Sequence, residues 1–312
     1  MKYYIALDGG TSNTRVSLYS EGRVLNTVRL SVGARANGEE KGVLDRAVKQ
    51  AIDSLLRAYK LKESDVQAIL GSGMLTSEMG LYCVPHLLAP VGVAELHKGI
   101  TRVMLPSISP IPFFLVPGVK TVGDLASTDL MRGEETELYG LFDAPPKNAV
   151  VILPGSHSKI IQTDGEGRIV SFKTMLTGEL LAAVSTHTVL GSSITLSEGE
   201  LVKNALFDGY RYTELHGVNE ALFKVRVARL SLGVSHNEAY SFLLGTVLHD
   251  EIKAVLALAP GAVYIGGRRQ IKEATAILLS ELFSLNVLMA SDEAVGESTA
   301  KGLVKIYEYT DR

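Results

Sequence analysis

Two short polar turns carry the residues best suited to chemistry in this 312-residue chain. The first is Leu7-Asp8-Gly9-Gly10-Thr11-Ser12-Asn13-Thr14-Arg15. Its glycines let the backbone turn sharply and bring amide N–H groups close to a phosphate. Thr11, Ser12, Asn13 and Thr14 add side-chain donors, and Asp8 at the end of a strand-like run could hold Mg2+ through water. The second turn is Pro154-Gly155-Ser156-His157-Ser158-Lys159. Either one alone also reads as an ordinary polar hairpin. Two related turns read together as a pair that grips a polyphosphate. No GxxxxGK[ST] loop is present, which excludes P-loop chemistry.

A third candidate is Val263-Tyr264-Ile265-Gly266-Gly267-Arg268, a strand entering a glycine pair before a helix. Without a Cβ at Gly266 and Gly267 an adenosine could lie flat on the backbone, although a plain strand-to-helix turn has the same pattern. The stretch Gly296 to Gly302 places small residues on the last helix, as close helix packing requires.

The elements that must position these turns repeat. Residues 3–30 read as three strands, YYIALDGG, TRVSLYS and RVLNTVRLS, and residues 149–176 read as three more. An ungapped offset of 145 lays Gly10 on Gly155, Thr11 on Ser156, and Glu21-Gly22-Arg23 on Glu166-Gly167-Arg168. Each triplet leads into helix. Residues 41–59 put Val43, Leu44, Ala47, Val48, Ala51, Ile52, Leu55 and Leu56 on one face. A strand follows at 66–71. In the second half helices are expected over 177–190 and on to about 258. Strand 263–267, helix 270–284, strand 286–290 and helix 293–308 follow. This order implies α/β domains with partly parallel sheets. The prolines of 143–148 mark a boundary between a domain at 1–142 and one at 148–312.

Composition excludes several classes. With 31 basic against 34 acidic residues there is no overall drive toward nucleic acid or an anionic membrane. Cys83 is the single cysteine, so an intrachain disulfide and a cysteine-built zinc site are ruled out. The most apolar stretch, 103–119, is broken by four prolines and is too short to span a bilayer. The first residues enter a strand without a long apolar region, so a cytoplasmic protein is expected. The six histidines outside the second turn show no metal-ligand spacing.

The duplicated triplets, paired turns and glycine pair resemble the acetate and sugar kinase, Hsp70 and actin superfamily. Its fold is two ribonuclease-H-like domains of actin-like ATPase architecture around a cleft. Within that group the run Asp129-Leu130-Met131-Arg132-Gly133-Glu134-Glu135-Thr136-Glu137-Leu138-Tyr139-Gly140 is similar to the signature of the 2-dehydro-3-deoxygalactonokinase family. The PGSHSK turn at 154–159, TGEL at 177–180, and Gly73, Met74, Ser77, Gly80 and Pro85 match further family patterns. Two departures are Gly9, where the family often has tryptophan, and Ser158, where cysteine is common. Gly9 removes any stacking contact a tryptophan would supply.

The resemblance implies ATP-dependent phosphorylation of the C6 hydroxyl of 2-dehydro-3-deoxy-D-galactonate, with Mg2+ as cofactor and Asp8 as its ligand. It places Gly10, Thr11, Ser12, Asn13 and Thr14 on one side of the phosphates. Gly155, Ser156, His157 and Lys159 stand on the other side, and Gly266 and Gly267 hold adenosine. His157 either donates to a ligand or pins its own turn. The catalytic carboxylate begins the helix leaving the first domain: Glu134 is the first choice and Asp129 the second. Arg132 would pair with the substrate carboxylate, and Gly73, Met74, Ser77 and Glu135 would line the sugar-acid pocket. Without the family match, Glu134, Glu135 and Glu137 read as a solvated helix face. Another sugar kinase and an actin- or Hsp70-like nucleotide switch are the competing classes. The partners expected are the sugar acid and ATP, with no nucleic acid and no membrane. The oligomeric state is left open, a homo-oligomer included.

Overall fold

Strand-forming runs separated by glycine turns give the first thirty residues three antiparallel strands. In the computed structural model, which describes residues 2–194, 200–267 and 269–310, these are β1 (Tyr3–Gly9), β2 (Thr14–Ser20) and β3 (Arg23–Leu30). Glu21 and Gly22 join β2 to β3 with φ of 53° and 81°, the two-residue loop whose twist suits a hairpin. α1 (Ala34–Glu39) and α2 (Val43–Ala58) follow. α2 buries Leu44, Val48, Ala51, Ile52, Leu55 and Leu56, the apolar face that its spacing predicts.

β4 (Val66–Gly73) then lies parallel to β1. After it come β5 (Leu87–Leu88), α3 (Val93–Lys98), β6 (Thr101–Val103), β7 (Phe113–Leu115), β8 (Val119–Thr121), β9 (Asp129–Met131) and α4 (Glu134–Leu141). The main sheet has the order β3-β2-β1-β4-β7-β6, and a small second sheet has the order β5-β8-β9. The small sheet is not among the expected elements.

The second half repeats the plan. β10 (Val150–Leu153), β11 (Ser158–Thr163) and β12 (Ile169–Met175) precede α5 (Thr177–His187), α6 (Lys203–His216), α7 (Val218–Ser231) and α8 (His236–Leu256). β13 (Val263–Ile265), α9 (Arg269–Ile277), β14 (Val287–Met289) and α10 (Asp292–Tyr307) complete the chain. The sheet order β12-β11-β10-β13-β14 matches β3-β2-β1-β4-β7, with β10 and β13 parallel. The chain is thus an α/β protein built on two duplicated ribonuclease-H-like sheets. The ungapped offset fails by one residue at the turns. Asp8 pairs with Arg15, but Leu153 pairs with Lys159, so the second turn is one residue tighter. The helical stretch expected to reach 258 includes 195–199, which lie outside the described residues, as does Arg268.

Two compact units emerge. One comprises Met1–Asn148, Thr163–Phe172 and Asp292–Arg312; the other comprises Ala149–Gln162 and Lys173–Ser291. The boundary expected near 142–148 coincides with one border, but α10 belongs to the first unit and not the second. The reason lies in its packing on α4. A Cβ at Gly140 would collide with the Ser298 carbonyl, and one at Gly302 with the Thr136 carbonyl. Lys305 Nζ also donates to the carbonyls of Phe142 and Asp143, at 3.1 and 2.8 Å.

These approaches give a test. Gly302→Ala must push α10 off α4 and should cost about 1–3 kcal/mol of unfolding free energy by urea titration. Gly296→Ala, on the same helix with nothing within 4 Å of its Cβ, should be neutral or stabilising by up to about 1 kcal/mol. Equal effects would mean that helix contact does not set the glycine requirement.

Candidate active site

The first turn is fixed from behind by α1. Ala34 N donates to Gly10 O at 3.1 Å and Arg35 N to Thr11 O at 3.0 Å. Gly10, Ser12 and Asn13 are exposed at the tip and Thr11 is half-buried. Thr14 is different: it is buried within β2 and its Oγ1 has no hydrogen-bond partner, so it sits below the exposed tip. Asp8 accepts from Arg15 Nε at 2.7 Å and forms an ion pair with the same guanidinium.

Three glycines draw three segments of the first unit together. A Cβ on Gly73, at φ 74°, would strike the Gly9 carbonyl. A Cβ on Gly133, at φ 113°, would lie 3.1 Å from Gly73 Cα. The ends of β1 and β4 and the start of α4 therefore touch backbone to backbone. At Gly9 the space that a larger residue would need is filled by the Leu75 side chain.

Helix α4 brings its acidic residues to this junction, and they are not a solvated face. Glu135 is fully buried, accepting from Gly133 N through both oxygens at 2.9 and 2.8 Å and from Thr136 Oγ1 at 3.2 Å. Desolvation, helped by the charge of Glu134, pushes its carboxyl up to about 8. Burial and the negative charges of Asp8 and Glu134 push Glu137 up to about 7. Glu134, the first residue of α4, is half-buried and accepts from Arg132 N at 3.0 Å. Asp129 stands apart in β9, where its amide donates to Thr121 Oγ1 and its Oδ1 accepts from Leu130 N.

Arg132 is partly committed. Nη1 donates to Thr76 O and Oγ1, each at 2.7 Å, and Nη2 lies 3.1 Å from His86 Nδ1. Desolvation and the charges of Arg132 and Lys120 hold His86 down to about 4. The ring is therefore neutral near pH 7 and accepts at Nδ1. In the Gly73 loop, Ser77 Oγ closes a turn onto Met74 O at 2.7 Å, and Asn37 Nδ2 donates to the Met79 and Gly80 carbonyls.

In the second unit, Ser156 and His157 are exposed at the turn tip and Gly155 is half-buried. The turn rests on α5: Glu179 N donates to Ser156 O at 2.9 Å, and a Cβ at Gly178 would meet the Gly155 carbonyl. His157 Nε2 lies 2.6 Å from Glu179 Oε2, so of its two expected roles the structure displays the pinning one. Gly267, at φ 74°, sits against the Pro154 backbone, which joins the glycine pair to the turn. Lys159 departs from expectation. It is buried and its Nζ donates to Thr174 Oγ1 at 2.7 Å, because β11 residues on both faces are covered.

Sequence reasoning missed His86, Glu137, Glu179 and Thr76. Glu179, inside the TGEL run, and Glu137, inside the run 129–140, had a visible signal; His86 and Thr76 had none. Among the described residues no three His, Cys, Asp or Glu side chains converge as a metal cage. Asp8 alone, already beside Arg15, fits an ion that keeps most of its water and leans on phosphate oxygens, as Mg2+ does. Among the described residues no helix is long and apolar enough to cross a membrane.

The raised carboxyls make stability pH-dependent. Glu135 and Glu137 hold protons more tightly folded than unfolded, so unfolding free energy falls as pH rises from about 4.5 to 8. His86 works oppositely, but only below its ordinary value near 6.5. Glu135→Gln should therefore remove about 1–2 kcal/mol of the loss between pH 6.5 and 8 in urea titrations. An unchanged slope would show that Glu135 stays ionised.

Comparison with known proteins follows the same geometry. A 2-dehydro-3-deoxygalactonokinase of Escherichia coli is 26% identical over 254 residues, covering 81% of this chain and 80% of its own. A crystal structure of a Sinorhizobium meliloti protein assigned as a 2-dehydro-3-deoxygalactonokinase superposes with a TM-score of 0.78 at 26% identity, covering 99% of both chains. A xylulose kinase from Lactobacillus acidophilus, at 9% identity and TM-score 0.54 over 98% of this chain and 89% of its own, shares the fold alone. The actin-like sugar-kinase fold is thereby established. The family model of 2-keto-3-deoxy-galactonokinase matches residues 8–306, and the chain belongs to that family.

Proposed function

We propose that this sugar-acid kinase transfers the γ-phosphoryl group of ATP to the C6 hydroxyl of 2-dehydro-3-deoxy-D-galactonate. The observation that carries the reading is the meeting of the Asp8 turn, the Gly73 loop and the start of α4 at Gly9, Gly73 and Gly133. It sets a phosphate turn, a polar loop and a carboxylate-bearing helix end side by side. Phosphoryl transfer needs little covalent help from protein, because its transition state is loose; alignment and charge neutralisation supply most of the catalysis.

Glu134 is assigned as the base. It is only half-buried and is the first residue of α4. Glu135 is a poor base near neutral pH because it holds its proton up to about 8. Asp129 is tied into its strand five residues earlier. In the step, Glu134 takes the C6 hydroxyl proton as the oxygen bonds to the γ-phosphorus, and the bond to the β-phosphate oxygen breaks to release ADP. Arg132, braced by Thr76 and neutral His86, pairs with the substrate carboxylate. Met74 and Ser77 line that pocket. The tips at Gly10–Asn13 and Gly155–Ser156 hold the phosphates, and Gly266 and Gly267 take adenosine. Asp8 would hold Mg2+ through water, and the ion would neutralise phosphate charge. The protein is assigned to the cytoplasm, where ATP is abundant.

Turnover of ATP with 2-dehydro-3-deoxy-D-galactonate should exceed that with its gluconate epimer, and no turnover with either would refute the substrate. Glu134→Gln should lower kcat about 100-fold or more while both KM values change little. Asp129→Asn should stay near wild type; the opposite ranking would move the base to Asp129. Gly155→Ala has room for its Cβ, with the nearest atom at 3.8 Å, so thermal stability should hold while KM for ATP rises.

A further inference from the structure

The second unit buries a carboxyl for which neither the core nor the proposed chemistry has a use. Glu251 is 1% exposed on α8, among Leu248, Ile252 and Val255, all fully buried. An isolated carboxyl in such surroundings is costly, and for stability alone an apolar side chain of similar size would serve as well or better. Burial pushes its proton affinity up, with Thr177 and Ser158 opposing.

Its contacts point to the turn above it. Oε2 accepts from Thr177 Oγ1 at 2.5 Å, and Thr177 is the first residue of α5. Ser158, the last residue of the turn, is near enough to act on the carboxyl's proton. Yet neither Ser158 Oγ nor Glu251 Oε1 completes a hydrogen bond of good geometry; both are buried polar atoms without a partner. The turn is also supported by the Glu179 amide on Ser156 O and the exposed Glu179 carboxylate on His157.

We propose that Glu251 is a positioning residue for the nucleotide turn, holding the start of α5 through Thr177, beside Ser158, so that the Gly155–Ser156 amides resting on α5 keep their place. The inference rests on the reading of that turn as an ATP phosphate site. Glu251 touches no reactant. Its effect should fall on ATP and not on the sugar acid.

The test is steady-state kinetics on the full chain with both substrates varied. Glu251→Gln can accept from Thr177 and donate to Ser158, so KM for ATP should stay within about twofold of wild type. Glu251→Leu fills the space without the bond to Thr177. It should raise KM for ATP about tenfold, leave KM for the sugar acid within about twofold, and leave the melting temperature equal or higher. A folded Glu251→Leu protein with wild-type KM for ATP, or with both KM values shifted alike, overturns the proposal. So does a Glu251→Gln protein as impaired as Glu251→Leu. If Glu251→Leu does not fold, the Ser158→Ala, Thr177→Val double variant decides: a several-fold rise confined to KM for ATP supports the clamp, and no rise overturns it. Gly155→Ala separates the two layers. If it raises KM for ATP while the Glu251 variants do not, only the clamp fails; if it too has no effect, the turn is not the phosphate site.

Discussion

The backbones at Gly9, Gly73 and Gly133 lie against one another, a Cβ on Gly73 striking the Gly9 carbonyl and one on Gly133 lying 3.1 Å from Gly73 Cα, and the junction in the first unit depends on that approach. Two of the three glycines also adopt φ values that side chains resist, 74° at Gly73 and 113° at Gly133. The ends of two parallel strands and the N-terminus of a helix can then share one small volume. The acidic start of α4 is brought to the strand ends there by backbone contact and not by long side chains. The same device recurs in the second unit, where Gly178 rests on Gly155 and Gly267 on Pro154.

Tight backbone packing also explains the carboxyls of α4. With Gly140 pressed against α10, the helix is covered on faces that would otherwise be wet. Glu135 then loses its water and holds its proton, while Glu134, one residue earlier, keeps partial access to solvent. Three glutamates within four positions thereby acquire different chemistry, which only their surroundings distinguish. Glu251 in the second unit follows the same rule, burial raising its proton affinity while Thr177 and Ser158 oppose it.

Much of the fold was legible because its signals are local. The apolar face of α2, the strand triplets and the Glu21-Gly22 turn follow from side-chain periodicity and from the φ that glycine permits. The two polar turns proposed for the site stand out in sequence, since glycine and hydroxyl residues advertise themselves at any strand end. The surroundings of His86, Glu137 and Thr76 do not. Their importance comes from neighbours 46 to 129 positions away in sequence, such as Arg132 for His86 and Asp8 for Glu137. Lys159 shows the converse. The family resemblance set it beside the phosphates, yet the covering of both faces of β11 buries it on Thr174.

The sequence by itself determined the duplication, the order of strands and helices, the two polar turns and the family, because each is written in local pattern or motif. The tertiary structure decided which of those residues meet and in what state. It joined α10 to the first unit, set Glu135 dry and Glu134 half-wet, and turned His157 onto Glu179. Burial and charge proximity are properties of packing between segments distant in sequence, and no single stretch of chain encodes them.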